Sequence, residues 1–153
     1  MPRGLQSVRG GKRTLDKAFS EYIRLKDASP AGYVQCVTCG GIHHWKEMDA
    51  GHCINRKFEI TRFDERNVHP QCRYCNRFCE GNVTEYTLYL EGQYGTEAVE
   101  EMAKISHIIG FRWTIDDLQM ILDEVRRRLK IIKAGKRERW APITLVNMGI
   151  PYE

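Results

Sequence analysis

Between residues 14 and 27, Leu15, Phe19, Tyr22, Ile23 and Lys26 fall at helical intervals, and Thr14 stands where it can cap the first turn. Ser29-Pro30-Ala31-Gly32 ends that helix. Residues 33–54 read instead as short strands around a cysteine pair, with a turn near Lys46-Glu47. A mixed connection over 56–64 leads to residues 67–71 and a second cysteine pair, which opens a short helix reaching about Cys79. Gly81-Asn82 breaks it. Helices are then predicted over 83–94, with Val83, Tyr86, Leu90 and Tyr94 on one stripe, over 97–109, and over 115–134. The last and longest opens on Thr114 with Asp117 three residues later, a reciprocal capping pattern, and stops at Gly135. Its residues Ile115, Leu118, Leu122, Val125, Leu129 and Ile132 form a heptad seam under three repeats long, suited to packing on the body or to pairing with a second copy. Residues 140–153, with Pro142 and Pro151, are expected to wrap the surface.

At 153 residues the chain suits one compact domain with an appendage, and 42% hydrophobic against 29% charged residues is the balance of a folded protein rather than a disordered one. No apolar run approaches the roughly 20 residues of a membrane span. The opening Met-Pro-Arg-Gly-Leu-Gln-Ser lacks the apolar core of a secretory signal, so a cytoplasmic protein is expected. The net charge of +4 is modest but unevenly placed. Residues 126–139 carry Arg126, Arg127, Arg128, Lys130, Lys133, Lys136, Arg137 and Arg139 against the single acid Glu138, whereas 79–102 hold six Glu and no Lys or Arg. Residues 1–13, with Arg3, Arg9, Lys12 and Arg13, read as a flexible basic arm. Basic clusters at both ends suit a polyanionic partner; the plainer reading is a solvated helix face.

Cys36-Val-Thr-Cys39 and Cys72-Arg-Tyr-Cys75 are two C-x2-C pairs in a chain expected to stay in a reducing compartment. That spacing lets both thiolates of each pair reach one tetrahedral ion, so a structural zinc is expected, with an iron–sulfur cluster or a redox pair as rivals. Cys53 and Cys79 are left over and read as small buried apolar residues. His43, His44 and His69 lie close enough to the pairs to substitute as ligands, and His69 could also face a phosphate. His107 reads as packed in an apolar helix. Tyr86, Tyr89 and Tyr94 suit the core better than a base-stacking surface.

The 32 residues between the pairs exceed the roughly 15–20 of a plain zinc ribbon. They carry Asp49-Ala50-Gly51-His52 and Asn67, and Asn76 follows the fourth cysteine directly. A zinc ion would thus draw a strand histidine and a helix asparagine together. Phosphodiester hydrolysis asks for a base near neutral pKa, which His52 offers, and a divalent ion at the scissile phosphate. Asn76 can supply an oxygen ligand, and Glu80, four residues on, can hold metal-bound waters. Arg56, Arg62 and Arg66 suit phosphate clamping or simple solvation.

The order Cys36-x2-Cys39, Asp49-Ala50-Gly51-His52, Asn67-Val68-His69-Pro70-Gln71-Cys72 and Cys75-Asn76 resembles the zinc-containing ββα-metal, or HNH, endonucleases. More narrowly, Leu15-Asp16-Lys17-Ala18-Phe19, the 45–52 stretch and the 61–68 stretch resemble the NinG (Rap) recombination endonucleases of lambdoid phages, over about residues 14–110. The resemblance implies an α+β fold: a zinc-stapled, treble-clef-like ββα core over 14–110 with flanking helices, followed by a long C-terminal helix and tail over 111–153. It implies cutting of branched DNA, Holliday junctions and D-loops, with His52 as general base. Asn67 would brace the loop, and Asn76 would bind Mg²⁺ or Mn²⁺. Many members place an Asp directly before the first His, where this chain has Gly51. Its order is similar to the Asp-Arg-Gly-His of related non-specific nucleases, where one Asn and several waters suffice, which leaves two roles open for Asp49: direct metal ligand, or orienting the strand.

DNA contacts are expected from Arg3, Arg9, Lys12, Arg13, Arg62, Arg66, Arg126, Arg127, Lys130, Lys133, Lys136 and Arg137. A homodimer is expected on a symmetric junction. The competing class is a non-catalytic zinc module that binds nucleic acid, which has no need of His52 and Asn76.

Overall fold

A computed structural model describes residues 3–153. Its elements run in the order α1 (Val8–Leu25), β1 (Tyr33–Gln35), β2 (Ile42–His44), β3 (Met48–His52), β4 (Val68–Cys72), a π-helical turn (Tyr74–Phe78), α2 (Val83–Tyr94), α3 (Thr96–Ser106), α4 (Ile115–Lys133) and α5 (Leu145–Met148). The protein is a mixed α+β molecule with two small antiparallel sheets, β1–β2 and β3–β4. In the second, Asp49 faces Gln71 and His52 faces Val68. No helix among the described residues is long and apolar enough to cross a membrane.

The main core lies between α1 and α4. Leu15, Phe19, Tyr22 and Ile23 of α1 meet Leu118, Ile121, Leu122, Val125 and Leu129 of α4, with Phe63, Val68 and Trp113 beneath. The middle of the heptad seam, Leu118 to Leu129, is therefore buried within the chain, and α1 occupies it. Thr114 and Asp117 make the reciprocal cap expected of them, Thr114 Oγ1 accepting from Asp117 N at 3.0 Å.

Helix α1 begins at Val8, not at Thr14, so residues 8–13 of the expected basic arm are helical; residues 1–2 of that arm lie outside the described residues. Ser7 caps the helix by accepting from Gly10 N. The glycine that reads as a loop signal has a packing purpose. A Cβ on Gly11 would stand 3.1 Å from both Leu118 and Leu5, so the missing side chain lets α1 close on α4. Helix α3 stops at Ser106, short of the expected 109.

The tail is also more than a surface wrap. Ile143, Leu145 and Ile150 are buried in the main core. Glu65 accepts from Ile143 N at 2.8 Å and from Tyr22 Oη at 3.0 Å, and pairs with Arg128 at 3.3 Å. Arg128 in turn donates to Ala141 O. This buried network joins α1, α4 and the tail, and it satisfies each charge with hydrogen bonds as burial demands.

A cysteine knuckle beside a charged cleft

Cys36, Cys39, Cys72 and Cys75 bring their four sulfurs within 4.8 Å of one another. A tetrahedral ion with metal–sulfur bonds of about 2.3 Å sets sulfurs about 3.8 Å apart. Cys39 Sγ and Cys72 Sγ stand 3.8 Å apart. Backbone N–H groups already point at two of them, Gly41 N at Cys39 and Cys75 N at Cys72, each at 3.4 Å. Such bonds favour thiolates. Burial opposes this at Cys36, but hydrogen bonds from Thr38 and nearby backbone outweigh it and hold the thiol down to about 6. Burial pushes the Cys72 thiol up to about 12. The donor set and the spacing fit a metal ion such as zinc.

No histidine joins the cluster. His69 is buried among tyrosines, where desolvation and Lys26 lower its pKa to about 3. Tyr86 Oη donates to Gly51 O at 2.6 Å, so its oxygen accepts from His69 Nδ1, and His69 Nε2 accepts from Tyr94 Oη at 2.9 Å. This chain holds β3 one residue before His52. His69 therefore faces neither metal nor phosphate. Among the other histidines and cysteines, His107 is exposed against the edge of Phe58, and Cys53 and Cys79 are only half-buried.

Beside the knuckle a cleft of about 870 Å³ is lined by Asp16, Asp49, His52, Arg56, Asn76 and Glu80. Arg24, Lys46, Arg73 and Arg77 also line it, giving five cations against three carboxylates. His52, at the end of β3, donates Nε2–H to Arg62 O at 2.9 Å, because a carbonyl can only accept. Nδ1 is left unprotonated. Burial lowers the pKa of His52, with Arg56 and Arg62 adding to the effect and the Arg62 carbonyl and Asp16 opposing it.

Asn67 is fully buried and spans the loop between β3 and β4. Its Oδ1 accepts from Ile54 N at 2.7 Å, and its Nδ2 donates to Ile54 O and Thr61 O. Asn67→Ala strands all three backbone groups, each costing about 1–3 kcal/mol when buried and unpaired. A loss of about 3 kcal/mol is expected in denaturant unfolding; a loss under about 1 kcal/mol would show that the loop holds itself.

Asn76 donates Nδ2 to Asp49 Oδ2 at 2.9 Å, leaving its own Oδ1 free. Arg77 grips Asp49 through two bonds of 2.9 Å. Burial would raise the Asp49 pKa, but the bonds from Arg77 and Asn76 prevail and keep it below the ordinary value. Glu80 reaches the cleft, though not from Asn76's helix face. The π turn ends at Phe78, and Glu80 sits beyond it at φ 50°. The departure at Gly51 has a steric cause. A Cβ there would lie 2.1 Å from Gln71 Oε1, so the Gln71 side chain fills the space an aspartate would need.

Several expected phosphate contacts are engaged elsewhere. Arg62 pairs with Asp16 through two nitrogens, and Arg66 pairs with Asp64 at 2.7 Å. Arg127 pairs with Glu124, Lys12 with Glu59, and Arg137 donates to Lys26 O and Ala28 O at the end of α1. Arg3, Arg9 and Lys136 are exposed, and Arg13, Arg126, Lys130 and Lys133 come together along α1 and α4. Conversely, Asp16, Arg24, Lys46, Arg73 and Arg77 enter the cleft without a strong sequence signal. Arg73 and Arg77 could have been found from their places beside Cys72 and Asn76.

Knuckle and cleft define an α+β protein with a four-cysteine cluster that could hold a metal ion and, beside it, a polar, histidine-bearing pocket. The family model described as Bacteriophage Lambda NinG protein matches residues 5–136. The chain belongs to the NinG family of phage proteins. It is 32% identical over 123 residues to the ninG proteins of Escherichia phage lambda, Escherichia phage 933W and Salmonella phage P22. The alignments cover 80% of this chain and 57% or 58% of those proteins, so it spans somewhat under three fifths of their length. No solved structure matches it.

Proposed function

We propose that the protein is a structure-specific DNA endonuclease of the HNH type that cuts branched DNA, Holliday junctions and D-loops among them. The observation that carries this reading is one cleft holding His52, Asn76, Asp49, Arg56 and Glu80 beside a four-cysteine cluster. The β3–β4 hairpin followed at once by the turn bearing Asn76 supports the ββα-metal assignment.

His52 Nδ1 takes a proton from water while Nε2–H stays anchored on Arg62 O. The water oxygen bonds to phosphorus and the P–O3′ bond breaks, leaving a 5′-phosphate; the 3′ oxygen takes up a proton. Arg56, with its side chain 60% exposed, meets a non-bridging phosphate oxygen. Asn76 Oδ1 and the Glu80 carboxylate are the oxygens that would hold a divalent ion, Mg²⁺ or Mn²⁺, whose chemistry is to stabilise charge on the departing oxygen. Asp49 holds Asn76 and Arg77 in place. The four cysteines hold zinc as a structural ion. Two copies acting on a symmetric junction belong to the same proposal, with a contact away from the buried α4 seam.

The test is cleavage of a synthetic four-way junction and of a linear duplex built from its arms, with and without added Mg²⁺. Omitting Mg²⁺ is preferable to chelation, which would also strip the knuckle. Junction cutting that requires Mg²⁺ is expected. Equal cutting of the linear duplex would remove the branch preference, and junction binding without cutting would make the protein a zinc-containing binding module.

A further inference from the structure

A second groove runs along the other side of α1. It measures about 960 Å³, and Arg13 and Lys17 of α1 face Arg126, Lys130 and Lys133 of α4 across a floor that includes Leu129. Glu21 is its one acid, and it is paired with Lys133. Arg13, Lys17, Arg126 and Lys130 are exposed and make no ion pair among the described residues, unlike Arg62, Arg66 and Arg128. The two helices run parallel: Gly11 packs on Leu118, and further along Glu21 meets Lys133. The cations on each helix are therefore spaced by about one turn, roughly 5.4 Å, in two facing rows. Sequence separates them by more than a hundred residues; the fold makes them one surface.

Helix α1 is the shared wall of groove and cleft. Asp16, Ser20 and Arg24 face the cleft, while Arg13, Lys17 and Glu21 face the groove. The two are thus about one helix diameter, roughly 10 Å, apart. We infer that this groove binds the sugar–phosphate backbone of a second DNA segment while a first segment lies in the cleft. Two adjacent, separately walled basic channels match the geometry of a branch, where two arms leave one point. A straight duplex presents only one segment there. The inference rests on the nuclease reading only in taking DNA as the partner.

Binding measured without added Mg²⁺, the knuckle keeping its metal, separates this from catalysis. The probes are a four-way junction and a linear duplex, titrated by fluorescence anisotropy across a salt series. Arg13→Ala/Lys17→Ala/Arg126→Ala/Lys130→Ala is expected to lower junction affinity at least about tenfold and to flatten the salt slope by about 3, with a smaller change on the duplex. Glu21→Gln frees Lys133, so it is expected to tighten junction binding and steepen the slope by up to about one unit, a gain that misfolding cannot mimic. Lys104→Ala/Arg112→Ala, which removes two exposed charges elsewhere, is the control. A fourfold variant no different from that control, or an inert Glu21→Gln, overturns the inference. Equal slope changes on junction and duplex would overturn the second-segment assignment. Groove-dependent junction binding with no cutting in Mg²⁺ would refute the nuclease and leave the groove standing.

Discussion

Removing metal from the four-cysteine cluster is expected to destabilise the strand half of the molecule so that it melts before α1 and α4. The hydrophobic cluster around the knuckle is small: Ala28, Val34 and Met48 with the cysteines Cys36, Cys72 and Cys75. Full burial of a valine or methionine contributes about 1.5–3 kcal/mol. A structural zinc contributes on the order of 10 kcal/mol, so in that half the ion outweighs the apolar contacts. The main core is of another kind, with sixteen buried residues drawn mostly from α1, α4 and the tail. Cys75→Ser, or dialysis against a strong chelator, should therefore split the thermal melt into two transitions. Most of the helical circular dichroism should survive the first. Readdition of Zn²⁺ should restore the native melt of the wild type but not of the variant. A metal-free protein with an unchanged single transition would show that the cysteines are packed thiols and nothing more. The cleft should go with the knuckle, because Asn76 follows Cys75 and the strand ending in His52 is paired with the strand ending in Cys72.

The parts of this fold that depend on neighbours in sequence are legible in sequence. Helix α2 occupies 83–94 as its stripe predicts, and Thr114 with Asp117 marks the start of α4 because a capping box is a local bargain between two side chains and two backbone groups. The cysteine cluster follows from spacing alone. What stays hidden depends on long-range contact. Gly11 looks like a loop residue until Leu118 is packed against it. Arg62 and Arg66 look like phosphate ligands until Asp16 and Asp64 are found beside them. Asp16 itself shows no sign, within its own helix, that it will stand in a cleft with His52. The direction in which Gln71 leans decides why position 51 is glycine, and pattern reading has no access to it.

His52→Ala is expected to lower junction cleavage by about 10²–10⁴-fold, the range for loss of a positioned general base, with junction affinity retained. The pH profile tests the assignment more sharply. The base works only when Nδ1 is unprotonated, so the rate falls as pH drops through the His52 pKa. Burial, Arg56 and Arg62 disfavour the imidazolium more than Asp16 and the Arg62 carbonyl favour it, so that pKa lies below its ordinary value. The acid limb of kcat/KM should accordingly have its midpoint below about 6.5. Asp16→Asn removes the one carboxylate acting on His52 and loosens Arg62, whose carbonyl anchors Nε2. The first effect moves the limb to lower pH and the second reduces kcat, a pair of changes that a merely structural role for Asp16 would not produce together. In His52→Ala the limb should vanish from the residual rate. A variant that cuts within tenfold of wild type, or keeps the same limb, would take the general base away from His52 and require another group in the cleft to supply it.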